Sequence, residues 1–248
     1  MGCELPEYLR QYYLETMDVV TWQEREHVAP TLTEPAVIDS RNVAEAMVSP
    51  RPALDTTIDD VTSIDQWLQL EQSVAACEKC ETLCQSRTQT VFGVGDRLAN
   101  VLIIGEAPGV DEDKQGEPFV GRSGKLLTAM LSAIKLKRQE VFITNVIKCM
   151  PTDDKDPSKL EMKNCHDYLM RQVALVRPKA ILAVGRIAAQ HLLATDTAIG
   201  QLRGQDHEIA GIPVIVTYHP AYLLRKPGEK RKSWQDLLRL QEMMNSWQ

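Results

Sequence analysis

Four short runs rich in β-branched and aliphatic residues constrain this 248-residue chain more than any other feature: residues 101–105 (VLIIG), 141–146 (VFITNV), 180–185 (AILAVG) and 213–218 (PVIVTY). Stretches of helical character separate them, around residues 122–136, 160–176 and 186–194. Strand and helix in alternation predict an α/β fold, a three-layer sandwich with a central parallel four-stranded sheet. A last helix from about Ser233, with Trp234, Leu237, Leu238 and Leu240, is expected to pack on the body. In this architecture functional loops gather at the carboxyl ends of the strands. A hydrophobic content of 44% is enough for a substantial core.

The front of the chain is different. Leu5, Leu9, Tyr12, Tyr13 and Met17 recur at roughly helical spacing, so residues 1–27 read as an amphipathic segment able to dock on a protein partner through its aromatic face. Residues 28–62 carry Pro30, Pro35, Pro50 and Pro52, scattered acids and little periodicity, the composition of a flexible linker. The folded body is therefore expected over residues 63–248, with Ser63 capping its first helix and Gln66 as reciprocal partner. Charge divides at the same place. Residues 1–76 hold 14 acidic and 4 basic residues, whereas residues 77–248 hold 20 acidic and 24 basic. The overall charge of -6 thus belongs to the N-terminal extension, and the mildly basic body is compatible with phosphate contact. Glu4, Glu7, Arg10 and Glu15 interrupt any signal-like apolar region, and no long apolar run follows, so a soluble, cytoplasmic monomer with no membrane association is expected.

Six cysteines in a reducing compartment argue for metal ligation or plain burial rather than disulfides. Cys77 and Cys80 form a Cys-x2-Cys pair, and Cys149 and Cys165 supply a second pair. Four thiolates suit zinc or a 4Fe-4S cluster, and spacing does not separate the two. Cys84 lies close enough to compete for a ligand position and Cys3 sits in the extension; both read as non-ligands.

Three loops carry candidate chemistry. After the first strand come Gly105, Glu106, Ala107, Pro108 and Gly109, then Asp111, Glu112 and Asp113, then the run 117–125 (EPFVGRSGK). Glycines permit close backbone approach to a ligand, and carboxylates orient or activate water. Residues 121–124 enter a helix and can present backbone N–H groups to phosphate. A Walker A loop fails, because Arg122 stands where lysine is required. Asn145 ends the second strand and offers a donor and an acceptor to the edge of a planar heterocycle. His219 follows the fourth strand, locked by Pro220 and trailed by Arg225, Lys226, Lys230, Arg231 and Lys232. The plain alternatives are a solvated acidic loop, a buried satisfied amide and a structural histidine.

Taken together, GEAPG, DED, PFVGRSG, TNVIKC and YHPAYLLR occur in the order found in the family 4 uracil-DNA glycosylases, with the four cysteines interleaved. The resemblance covers about residues 70–243. It implies a base-excision-repair hydrolase that releases uracil from DNA, with a 4Fe-4S cluster on Cys77, Cys80, Cys149 and Cys165. Carried over residue by residue, it casts Glu106 and Ala107 as part of the uracil pocket and water-positioning loop, Phe119 as the aromatic stacked on uracil and Asn145 as the reader of its polar edge. His219 becomes the donor to the departing base and Glu112 a second carboxylate assisting water, the order of importance of Glu106 and Glu112 being open. Gly121, Arg122, Ser123, Gly124 and Arg225 form the expected DNA-contacting set, and a repair or replication protein is the expected partner of residues 1–27. Two rivals stand beside this reading: a non-catalytic uracil- or single-stranded-DNA-binding member of the same fold, and a zinc-bound nucleic-acid module. The covalent uracil-binding variant is disfavoured, because Cys149 runs directly into Met150, Pro151, Thr152 and Asp153 without a basic insertion.

Overall fold

The computed structural model describes residues 58–152 and 155–247. The expected partner-binding segment 1–27 and most of the expected linker lie outside them. In chain order the elements are α1 (Ile58–Ala75), α2 (Glu81–Ser86), β1 (Val94–Gly95), β2 (Val101–Gly105), α3 (Val110–Gln115), α4 (Arg122–Ala133), β3 (Phe142–Asn145) and α5 (Lys159–Val176). There follow β4 (Ala180–Val184), α6 (Arg186–Leu192), α7 (Ile199–Leu202), β5 (His207–Ile209), β6 (Ile212–Thr217), α8 (Pro220–Arg225) and α9 (Lys230–Asn245). Helix α1 begins at Ile58, so Ser63 lies inside it rather than at its cap as the sequence suggested.

The four expected strands are present and parallel, in the spatial order β3-β2-β4-β6. The sheet is nevertheless six-stranded, because β1 pairs antiparallel with β3 at one edge and β5 antiparallel with β6 at the other. Side-chain alternation splits the strands between two cores. Leu102 and Ile104 of β2 and Ile181 and Ala183 of β4 face one way, packing with Trp67, Leu70 and Val74 of α1 and Leu169 and Val173 of α5. Val101 and Ile103, with Leu182 and Val184, face the other way onto Leu127, Met130 and Leu131 of α4, Leu223 of α8 and Leu237 and Leu240 of α9. Helices cover both faces of a parallel sheet, as β2 and β4, buried at every position, require.

Topology also places the site. Strand β2 pairs with β3 on one side and β4 on the other, so the chain reverses direction across the sheet at β2. Loops leaving β2 and its neighbours diverge there, opening a crevice at the carboxyl edge.

Candidate active site

At that edge a cavity of about 650 Å³ is lined by Glu106, Ala107, Phe119, Met150, Asp156 and His219, among others. Its floor is set by glycine. A Cβ on Gly105 would lie 2.4 Å from Asn145 Oδ1 and 2.6 Å from the Phe119 ring, so only glycine lets the amide and the aromatic come together there. Phe119 itself has φ 55°, a left-handed conformation that costs a non-glycine residue energy. The position is enforced from below, where a Cβ on Gly124 would overlap the Phe119 carbonyl oxygen at 1.7 Å. Gly124 therefore packs α4 against the Phe119 backbone and is buried.

Glu112 holds the two loops that flank the cavity. Its Oε2 accepts from the Gly109 N–H at 3.2 Å, and its Oε1 accepts from the N–H groups of Val120 at 2.9 Å and Gly121 at 3.1 Å. A buried carboxylate with both oxygens so engaged is a clamp on the backbone, and the Gly121 N–H is already spent on it. Glu106 reaches the same cavity from the end of β2, its carbonyl accepting from the Ile147 N–H at 3.2 Å.

Asn145, the last residue of β3, is 1% exposed, and its Oδ1 is buried without a hydrogen-bond partner among the described residues. Such an atom costs about 1–3 kcal/mol unless a ligand satisfies it. His219 is the N-cap of α8, its ring 5.6 Å from that of Phe119 between centroids. The Ala221 N–H donates to His219 Nδ1 at 3.2 Å, which assigns the ring proton to Nε2 in the neutral tautomer. Burial, reinforced by the charge of Arg225, pushes the His219 pKa down to about 4. The imidazole is thus a neutral donor near pH 7.

Beside the main cavity, a shallower cleft of about 420 Å³ brings Gly121, Arg122 and Ser123 at the start of α4 into apposition with Leu224 and Arg225 of α8. Four of the five expected DNA-contacting residues meet here. The half-open Leu224 between them escaped the sequence reading, because leucine in an apolar run reads as core. Met150, Pro151, Lys155 and Asp156, which close the far side of the main cavity, also escaped it, since the irregular connection from β3 to α5 has no periodicity to read.

The cysteines occupy the opposite side of the β3 terminus. Cys77 follows α1, Cys80 precedes α2, Cys149 lies just beyond β3 and Cys165 is on α5; the first two are half-buried and the last two buried. The sulfurs receive donors. Arg87 Nη1 donates to Cys149 Sγ at 2.9 Å while its Nη2 donates to the Cys77 carbonyl at 2.7 Å, and Asn164 Nδ2 donates to Cys80 Sγ at 3.4 Å. Burial pushes the Cys149 thiol up to about 11 and raises that of Cys165, with Arg87 opposing the rise at Cys149. Cys84 instead donates from Sγ to the Cys77 carbonyl at 3.4 Å. Among the described residues, no three His, Cys, Asp or Glu side chains converge where a single metal ion would bind.

Comparison with known proteins decides the family. The family model of the uracil DNA glycosylase superfamily matches residues 92–238. A type-4 uracil-DNA glycosylase of Archaeoglobus fulgidus is 41% identical over 180 residues, spanning 69% of this chain and 90% of that protein. Type-4 uracil-DNA glycosylases of Pyrobaculum aerophilum and Thermotoga maritima are 39% and 37% identical, over 68% and 63% of this chain and 90% and 82% of their own lengths. The chain is a type-4 member of the uracil-DNA glycosylase superfamily. All the motif residues that carried the resemblance fall within the region matched by the family model, except the Cys77–Cys80 pair, which precedes it. This type-4 body contains, among the described residues, no helix long and apolar enough to cross a membrane.

Proposed function

We propose that this protein hydrolyses the N-glycosidic bond of deoxyuridine in DNA, releasing uracil and leaving an abasic site in base-excision repair. The observation that carries the reading is the unpartnered, buried Oδ1 of Asn145 beside Phe119 and a neutral His219. Uracil presents an N3–H to an amide oxygen, whereas cytosine presents a bare N3, so two acceptors would face each other and cytosine is rejected. Flipping the base out of the duplex costs a few kcal/mol, which stacking on Phe119 and the bonds to Asn145 offset.

As the bond from the sugar carbon to N1 breaks, its electron pair moves onto uracil and charge develops at the O2 oxygen. The His219 Nε2–H is the donor for that charge, and a neutral imidazole stabilises it without giving up its proton. Water, oriented by Glu106 at the cavity wall, adds to the sugar carbon and loses a proton that neutralises the uracil anion as it leaves; Glu112 serves as the clamp on the Gly109, Val120 and Gly121 N–H groups. Arg122, Ser123 and Arg225 provide the phosphate-facing cleft, with Leu224 between them to occupy the space the flipped base leaves.

The four cysteines fit an iron-sulfur cluster by their chemistry. They are four thiols on three separated segments, and Arg87 and Asn164 aim donors at two of the sulfurs, as outer partners of ligating thiolates do. We assign Cys77, Cys80, Cys149 and Cys165 as ligands of a 4Fe-4S cluster, whose contribution is to cross-link the α1–α2 segment to the β3–α5 wall. Burial holds the Cys149 and Cys165 thiols neutral, so loading the cluster releases their protons. We further read the protein as a cytoplasmic monomer, with residues 1–27 as the docking segment for a repair or replication protein.

The test is incubation of the purified protein with a uracil-containing oligonucleotide, alkaline cleavage of abasic sites and quantification of free uracil. Strand scission at uracil alone is expected. Tight binding without scission would move the protein to the non-catalytic rival, and a colourless, iron-free preparation that binds zinc would favour the other.

A further inference from the structure

Lys148, between Asn145 and the thiols, is a residue that no step above uses. It is 1% exposed, although lysine is among the residues least often buried. Its Nζ donates to three acceptors: Thr144 Oγ1 at 2.6 Å, Gln172 Oε1 at 2.6 Å and the carbonyl of Asn145 at 2.7 Å. Thr144 Oγ1 and Gln172 Nε2 in turn donate to the Phe92 carbonyl, at 2.8 and 2.9 Å, closing a buried network between β3, α5 and the segment before β1. The Lys148 backbone is equally committed. Its carbonyl accepts from the Val91 N–H at 2.7 Å, and its own N–H is directed at the Cys165 thiol.

A core that needed only filling at this point would take methionine or leucine at no desolvation cost. The amine stands where the chain passes from the buried Asn145 amide beside Gly105 and Phe119 to the thiols, three residues from Asn145 and one from Cys149. We propose that Lys148 is a positioning residue for uracil recognition: its side chain fixes the Asn145 backbone, and thereby the amide, against the α5 wall that carries Cys165. The proposal rests on the uracil reading of the site. It makes the wall a support for base discrimination as well as for folding. Gln172 is two helical turns beyond Cys165 on the same helix, so one rigid element carries both attachments.

The experiment compares the parent, Lys148→Met and Thr144→Val in four readouts: iron content with visible absorbance, single-turnover rate, KM for uracil-containing DNA, and inhibition by free uracil. Because Lys148 reaches Cys165 through its backbone, Lys148→Met is expected to keep the parent's iron and a KM within about threefold, while kcat and the affinity for free uracil each fall about tenfold or more through loss of the three Nζ hydrogen bonds that hold the Asn145 backbone. Thr144→Val removes one of three acceptors at nearly constant volume and is expected to move the same two readouts by roughly three- to fivefold. If Lys148→Met does not fold, Thr144→Val decides by the same criterion.

An iron-loaded Lys148→Met with the parent's rate and uracil inhibition overturns the proposal. So does a loss of rate that disappears on cooling to temperatures where the variant is fully folded, because that assigns Lys148 to stability alone. A parent that releases no uracil would instead bring down the functional reading beneath it, so the two failures are distinguishable.

Discussion

The base cavity and the thiol wall lie at the two ends of a five-residue segment, Asn145 to Cys149, and they are held in different ways. In the cavity the protein's own hydrogen bonds set the geometry: Glu112 clamps three backbone N–H groups, Ala221 fixes the His219 tautomer, and Gly105 and Gly124 fix Phe119. Asn145 Oδ1, one of the buried polar atoms without a partner among the described residues, lies beside Phe119 and is the atom that meets uracil in the proposed complex. In the wall the thiols come from three separate segments, and neighbouring thiolates add to the burial that raises the pKa of Cys149 and Cys165. A catalytic pocket can be preorganised by the chain alone, whereas these cysteines become a set only through a shared metal group. Damage on the two sides should therefore show different signatures.

The largest effect is expected in the cavity. His219→Ala and Asn145→Ala should each lower the single-turnover excision rate by roughly 10²- to 10³-fold, the usual cost of removing one preorganised hydrogen-bonding group, with iron content and melting temperature near the parent's. Equal loss of iron in these variants would erase the distinction between the regions.

On the other side, Cys149→Ser should lose bound iron, and its Tm should fall on the order of 10 °C, since metal binding energy here is folding energy. Thermal melts with iron quantification check it. Excision by the fraction that remains folded should fall far less than in His219→Ala.

The sequence exposed these two regions unevenly. The central strands were legible because each is a continuous apolar run. Edge strands β1 and β5, two and three residues long, are too short to show any pattern, so a four-stranded sheet was expected where six strands form. Glu106 and Glu112 were both visible as carboxylates beside a glycine-rich turn, but sequence carries no record of which oxygens meet which N–H groups; only the folded loops show that Glu112 is saturated. Gly124 was read as a phosphate contact for the same reason, its steric partner Phe119 being a loop residue whose path no periodicity predicts.

A smaller effect sharpens the division of labour between the carboxylates. Glu112→Gln keeps an acceptor but loses charge on three N–H bonds, so it should cost about 1–3 kcal/mol of stability and about tenfold in rate, with the defect partly recovered at lower temperature. Glu106→Gln, by contrast, should slow excision without a comparable change in Tm. The reverse pattern would exchange their roles.

The smallest effect is in pH. The folded pKa of His219, about 4, is below the ordinary histidine value near 6.5, so the unfolded chain takes up this proton first. Its contribution to stability is therefore intact above about pH 6.5 and is lost as pH falls through 4. The excision rate, to the extent that it depends on a neutral His219, should be flat between about pH 6 and 8 and should not show a histidine-like fall near 6.5. Comparing kcat/KM profiles of the parent and His219→Gln tests this.

The most direct measurement is single-turnover release of free uracil from a uracil-containing oligonucleotide by the parent and by His219→Ala, with iron determined on the same preparations. The account predicts one uracil released per abasic site formed by the parent, and release slowed by at least roughly 100-fold in a His219→Ala protein carrying the same iron. Release at the parent's rate by His219→Ala, or no release by the iron-loaded parent, would contradict it.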